Sequence, residues 1–292
     1  MAKVKLHFDE YTREDLMEMD PVLLGALLRE RTHHTIEVLL YSLLNKDMEE
    51  PRKNLGKIAE FVFDVWKERD LPMDRPDIKW CQRYIEIAKK VRSGEKVEIA
   101  ELGEAMPKKF NAAEMEIVNR LIYERRSLRD WEDREVPDDL IEKILEAGRF
   151  APIGCNLGHV RFVVLKTEEE KKFIWSDISI HGAAVIIVIC YDSRIRKVVG
   201  QDKMVPQNAG YDMAAAADHM LLMAHALGLG GVWLSSLKET EKTKNTGEIF
   251  KEKYGLPEYI EVGCHIAVGW PAFGTIKSER PPLEELIIRK SE

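Results

Sequence analysis

Glu124-Arg125-Arg126-Ser127-Leu128-Arg129 gathers three guanidinium groups and one hydroxyl within six residues. Arginine forks match phosphate oxygens bidentately, and a serine adds a neutral donor that costs little to desolvate, so the run has the chemistry of a phosphate grip. Basic residues also collect at helix C-termini, where the dipole is negative, and on this run alone a solvated helix end is the commoner arrangement. A second candidate is Ala151-Pro152-Ile153-Gly154-Cys155-Asn156, a turn directly after a helical segment. Such a turn exposes backbone donors, and Asn156 either bonds a ligand or closes its own turn. The third is Ala224 to Ser236, with Gly228, Gly230 and Gly231 ending a helix. Glycines there allow the close approach of a flat ligand, and they are equally what a helix C-cap needs.

Single residues carry competing readings. Cys155 is a candidate redox thiol, set against cysteine's frequent service as a small hydrophobe. His159 and His181 lie near turns and are candidate proton carriers. His225, among alanines and leucines, reads as a core histidine. Met213, Met220 and Met223 read as packing, and Trp175 and Trp233 as buried rings.

Positioning these groups requires two kinds of scaffold. From Thr12 to Arg92 apolar residues recur at helical spacing, as in Ile58/Phe61/Val62/Val65/Trp66, with helix starts at Asp20-Pro21 and Glu50-Pro51 and a break at Pro72 and Pro76. This predicts an all-helical unit over residues 1–110, joined by a connector from Gly94 to Lys109 to a second unit over 111–292. After Phe110 helices alternate with short β-branched runs, which predicts a layered α+β or α/β domain. Helices are expected from Asn111 to about Arg125, after Val136-Pro137, and from Ala209 to Leu227. Strands are expected at Val160 to Leu165, Ala184 to Cys190 and Val262 to Val268. The second, apolar on both faces, is expected to be central.

Composition narrows the class. The 292 residues carry 51 acidic and 44 basic side chains, a net charge of −7 whose field repels polyanions and argues against a nucleic-acid binder. The longest apolar run, Ala183 to Cys190, falls far short of the ~20 residues that span a bilayer. Met1 to Asp9 has no apolar signal region, so the cytoplasm is the expected compartment. Four cysteines without a C-x-x-C pair predict neither a disulfide framework nor a metal site.

Taken in order, Arg125-Arg126-Ser127-Leu128-Arg129, Ala151 to Asn156, Ala224 to Gly230 and Arg280-Pro281-Pro282-Leu283-Glu284-Glu285 resemble the nitroreductase family of FMN-dependent oxidoreductases, over about Asn111 to Ile288. The resemblance implies a three-layer α/β/α sandwich with a central mixed sheet, preceded here by a helical region the family core lacks. It implies a homodimer with FMN at the subunit interface. Arg125, Ser127, Arg129 and Arg280 are then expected around the FMN phosphate and ribityl chain, with Arg126 as a backbone contact. Pro152, Ile153, Gly154 and Asn156 are expected to come from the partner chain, and the backbone of Ser235 and Ser236 to face flavin N5. NAD(P)H is the expected donor and a nitroaromatic, quinone or enone the acceptor, with the flavin carrying the chemistry and Cys155 and His159 as secondary candidates. Two alternatives stand beside this: a non-catalytic flavin-binding protein, and a reductase whose helical unit docks an electron-donor protein such as ferredoxin. The sequence departs from the family pattern at Ile153 and at Gly158-His159-Val160, so the substrate wall differs from that of familiar members, and it departs again at Asp218-His219 on the long helix.

Overall fold

A computed structural model of the chain describes residues 3–6, 9–45, 49–97, 108–172, 174, 180, 182–234 and 246–288. A two-stranded antiparallel hairpin, β1 (Val4–Lys5) and β2 (Glu10–Tyr11), precedes helices α1 (Arg13–Glu18), α2 (Pro21–Thr32), α3 (Val38–Asn45), α4 (Glu49–Asn54), α5 (Lys57–Glu68) and α6 (Pro76–Ser93). The helix limits follow from local chemistry. Thr12 and Asp15 form a capping box at α1, Asp20 accepts from the Val22 amide ahead of Pro21, and α6 runs from Pro76 to a left-handed Gly94. Between α2 and α3 the chain widens into a π turn, His33–Glu37, which helical periodicity does not reveal. Leu24, Leu27, Leu28, Val62, Trp66 and Ile85 meet in one apolar cluster, and that cluster also takes in Leu157, Ile195, Val198 and Val199 from the second half of the chain.

The second half is built on a four-stranded sheet of order β3-β4-β6-β5, with β3 at Val160–Leu165, β4 at Val185–Asp192, β5 at Gly230–Leu234 and β6 at Ile260–Gly269. All three ladders are antiparallel, and a parallel bridge between Ser127 and Gly231 makes the sheet mixed. The two-sided apolarity of β4 has a simple cause. Val185, Ile187 and Ile189 pack with the helices Asp138–Arg149 and Asn208–Ala226, while Ile186, Val188 and Cys190 pack with Phe250 of helix Thr246–Lys253 on the opposite face. These are the three expected layers.

Strand β5 replaces the expected glycine turn. Its glycines are there for packing: a Cβ on Gly230 would lie 2.2 Å from Leu128 Cδ1, and one on Gly231 would lie 2.8 Å from Leu221 Cδ2 and 3.1 Å from the Ala267 carbonyl oxygen. Gly228, at φ +78°, serves the helix end. No helix among the described residues is long and apolar enough to cross a membrane.

Candidate active site

Helix Ala112–Tyr123 begins at a capping box of Asn111 and Glu114 and ends where the basic run starts. Beyond it Leu128 donates its amide to the Gly231 carbonyl at 3.1 Å, which ties the run to the edge of β5. Arg120, Arg125 and Arg126 thereby line a cavity of about 630 Å³ together with Glu124, His225 and Gly231, and Arg120 is paired with Glu124 at 3.4 Å. Arg126 spends one guanidinium nitrogen on the carbonyls of Tyr123, at 2.7 Å, and Arg125, at 2.8 Å, so the helix-end reading holds for that residue. The side chains of Arg125, Ser127 and Arg129 have no hydrogen-bond or ion-pair partner among the described residues. An unsatisfied fork at the mouth of a concave basic cavity suits an anion.

The remaining expected positions are distributed differently. Arg129 and Arg280 are exposed, and Arg280 donates to the Glu279 carbonyl at 3.2 Å, its one such partner among the described residues. Ile153 lines a different cleft, with Glu142, Arg149, Gly158 and Phe162. Pro152 is exposed beside it, and Ser235, Ser236, His181 and Trp175 lie outside the described residues. One chain therefore brings Arg125 and Arg126 together but keeps them apart from the Pro152 to Asn156 turn. His225, read from sequence as a core histidine, lines the cavity instead. Its spacing of four from Leu221, another lining residue, is the only signal that would have placed it there.

The turn itself is held by its surroundings. The Gly154 amide donates to Asp212 Oδ1 at 3.0 Å, and Cys155 and Asn156 both adopt left-handed backbone, at φ 53° and 51°. The Cys155 thiol faces the helical unit, 3.7 Å from His34 Nε2, with Gln201 Nε2 at 3.6 Å. Contact with the Cys155 thiol and the buried Glu30 carboxylate pushes the His34 imidazole up to about 10.

His159 is fully buried, with Nε2 3.3 Å from Asp212 Oδ2 and its ring edge-on to Tyr191. This corrects its reading as a proton carrier near a turn: burial, with Arg196 and Arg161 adding to it, pushes the imidazole down to about 4 and keeps it neutral in the core. Because the folded chain takes up this proton only near pH 4 and the unfolded chain near 6.5, the contribution is complete above pH 6.5 and declines as the pH falls through the folded value. His34, shifted the opposite way, is protonated in both states below pH 6.5 and does not oppose it. Urea denaturation is expected to show a loss on the order of 2 kcal/mol between pH 6.5 and 5, and His159→Gln should flatten that slope. An equally steep slope in the variant would assign the loss to other groups.

The nitroreductase family model matches residues 122–179 and 175–270. An Archaeoglobus fulgidus protein provisionally named NADH dehydrogenase/NAD(P)H nitroreductase is 34% identical over 162 residues, covering 54% of this chain and 87% of that protein. The Bacillus subtilis FMN reductase (NAD(P)H) is 27% identical over 186 residues, 58% of this chain and 72% of its own. Among solved structures, a provisionally named NADH oxidase of Clostridium acetobutylicum superposes with a TM-score of 0.50 at 30% identity, over 59% of this chain and 99% of that one. The mixed sheet between helical layers agrees with these likenesses, and the chain belongs to the nitroreductase family.

Proposed function

We propose that the chain is an FMN-dependent oxidoreductase that takes hydride or electrons from NAD(P)H and passes them to a small organic acceptor of the nitroaromatic, quinone or enone class. Donor and acceptor would occupy the same site in turn, as a ping-pong scheme requires. The observation that carries this reading is the cavity at the basic run: an Arg125 guanidinium without a partner among the described residues, beside Arg126, His225 and the Arg120–Glu124 pair, has the donor chemistry that a phosphomonoester needs. The two-electron chemistry belongs to the flavin when bound, and the chain supplies the seat and the field. Arg125, Ser127, Arg129 and Arg280 would hold the phosphate and ribityl hydroxyls, with Arg126 bracing the loop through its carbonyl contacts.

A second copy of the chain would bring Pro152, Ile153, Gly154 and Asn156 to the same flavin. Helix Ala112–Tyr123 buries none of its residues in its own chain, leaving Ile117 64% exposed, and Ile276 and Ile288 on the C-terminal segment are 95% and 98% exposed. Apolar surface of this kind calls for a cover, and a twofold partner is the economical one. Anaerobic mixing of the flavin-loaded protein with NADH or NADPH is expected to bleach the flavin absorbance, which a quinone then restores. Flavin that stays oxidised with both nicotinamides overturns the proposal. Sedimentation is expected to report two chains of 33.7 kDa each, and a flavin-saturated monomer would refute the shared site.

A further inference from the structure

Away from the basic cavity, His33, His34 and Cys155 bring one ligand atom each to within 4.8 Å of one another. Two departures from regular geometry produce this convergence. Consecutive side chains of an α-helix diverge by about 100°. The wider π turn His33–Glu37 sets both imidazoles at one place, their rings edge to face at 4.9 Å. Opposite them, Cys155 is held in left-handed backbone that a non-glycine residue seldom takes. Arg29 pins the turn there, its Nε donating to the Asn156 carbonyl at 3.2 Å and its Nη2 to the Leu157 carbonyl at 2.7 Å.

Each ring has a carboxylate beside its Nδ1, hydrogen-bonded in the case of His33 and at ion-pair distance in the case of His34. His33 Nδ1 lies 2.7 Å from Glu37 Oε2, and His34 Nδ1 lies 2.8 Å from Glu30 Oε1. Glu30 is fully buried and held by Arg31. A carboxylate on one ring nitrogen leaves the other, Nε2, as the ligand, and on binding the ion displaces the proton that His34 otherwise holds there. His34 Nε2 stands 3.7 Å from Cys155 Sγ. Metal bonds of about 2.0 Å to nitrogen and 2.3 Å to sulfur, at a tetrahedral angle, put the two donor atoms about 3.5 Å apart.

We propose that His33, His34 and Cys155 bind one divalent cation of the zinc class, with Glu37 and Glu30 orienting the imidazoles and water in the fourth position. Two imidazoles and a thiolate do not suit magnesium or calcium, which take oxygen donors, and they do suit borderline-soft ions. The ion ties the helical unit to the turn that carries Gly154 and Asn156, so residues 1–110 serve to clamp that turn. The expectation of no metal rested on the missing C-x-x-C pair, yet Cys155 and His34 are 121 positions apart and meet only through the fold. None of the three ligands lines the basic cavity, so the inference stands apart from the flavin reading.

The full chain, purified, equilibrated with excess Zn²⁺ and desalted, is expected to carry about one zinc per chain by mass spectrometry. Replacement by Co²⁺ should give a thiolate-to-cobalt charge-transfer band and tetrahedral d–d bands in the difference spectrum against the zinc form. Cys155→Ser and His33→Gln should abolish zinc retention, and Cys264→Ser should preserve it. Glu37→Gln, which leaves all three ligands in place, should weaken zinc binding roughly 10–100-fold in a competitive chelator titration while circular dichroism reports an unchanged fold. A wild-type chain that retains no zinc, a Cys155→Ser or His33→Gln chain that retains all of it, or a cobalt spectrum without the thiolate band overturns the proposal.

Discussion

Replacing Arg125 and Arg129 together by alanine is expected to yield a folded chain that no longer holds FMN at micromolar concentration. Neither guanidinium has a partner among the described residues, so the fold loses little, within the ~0.5 kcal/mol usual for surface changes. Each charge-assisted contact to a phosphate is worth about 1.5–3 kcal/mol, and two together raise Kd by roughly 10²–10⁴-fold. Fluorescence titration of the flavin-free protein reads this directly, with far-ultraviolet dichroism confirming the fold. Arg126→Ala makes the contrast. Its guanidinium is engaged with the Tyr123 and Arg125 carbonyls, so its removal should cost about 1 kcal/mol of stability and much less affinity. A double variant that binds FMN as tightly as the parent would place the phosphate elsewhere.

The second large effect is expected at Arg29. This side chain is 6% exposed and makes three attachments: to Asp77 at 2.5 Å and to the Asn156 and Leu157 carbonyls. Removing one member of a buried ion pair costs about 3–5 kcal/mol. Asp77 keeps Arg75 at 2.7 Å, so its charge is not stranded and the lower end, about 3 kcal/mol, is expected. Urea denaturation of Arg29→Ala, followed by circular dichroism, measures this loss. The same variant frees the turn, so proteolysis in the native state should cut near Cys155 before any other described segment. A variant as stable as the parent would mean that the Arg29 contacts do not hold the turn to the helical unit.

Much of the scaffold was legible because its causes are local. Pro21, Pro76 and Gly94 mark helix limits through their own backbone restrictions, and the uninterrupted Val185-Ile186-Ile187-Val188-Ile189 run reads as a strand covered on both faces. Strand β5 was not legible. Its two leading glycines read as a turn, and their real requirement comes from Leu128, Leu221 and Ala267, which lie on a distant segment, on the preceding helix and on the neighbouring strand. The π turn at His33–Glu37 was likewise hidden, because a one-residue widening leaves the apolar spacing of its flanking helices unchanged.

Of the candidate site, the amino-acid order alone determined the basic run, the proline-glycine turn and the glycine-ended helix, since each is a property of adjacent residues. Tertiary structure decided which groups meet. It set Arg125 and Arg126 against His225, sent the Pro152 to Asn156 turn to a different face, withdrew His159 into the core and aimed Cys155 at His34. Ligand geometry depends on distances between side chains many positions apart, and those distances are fixed by how the helices and sheet pack rather than by the spacing of residues along the chain.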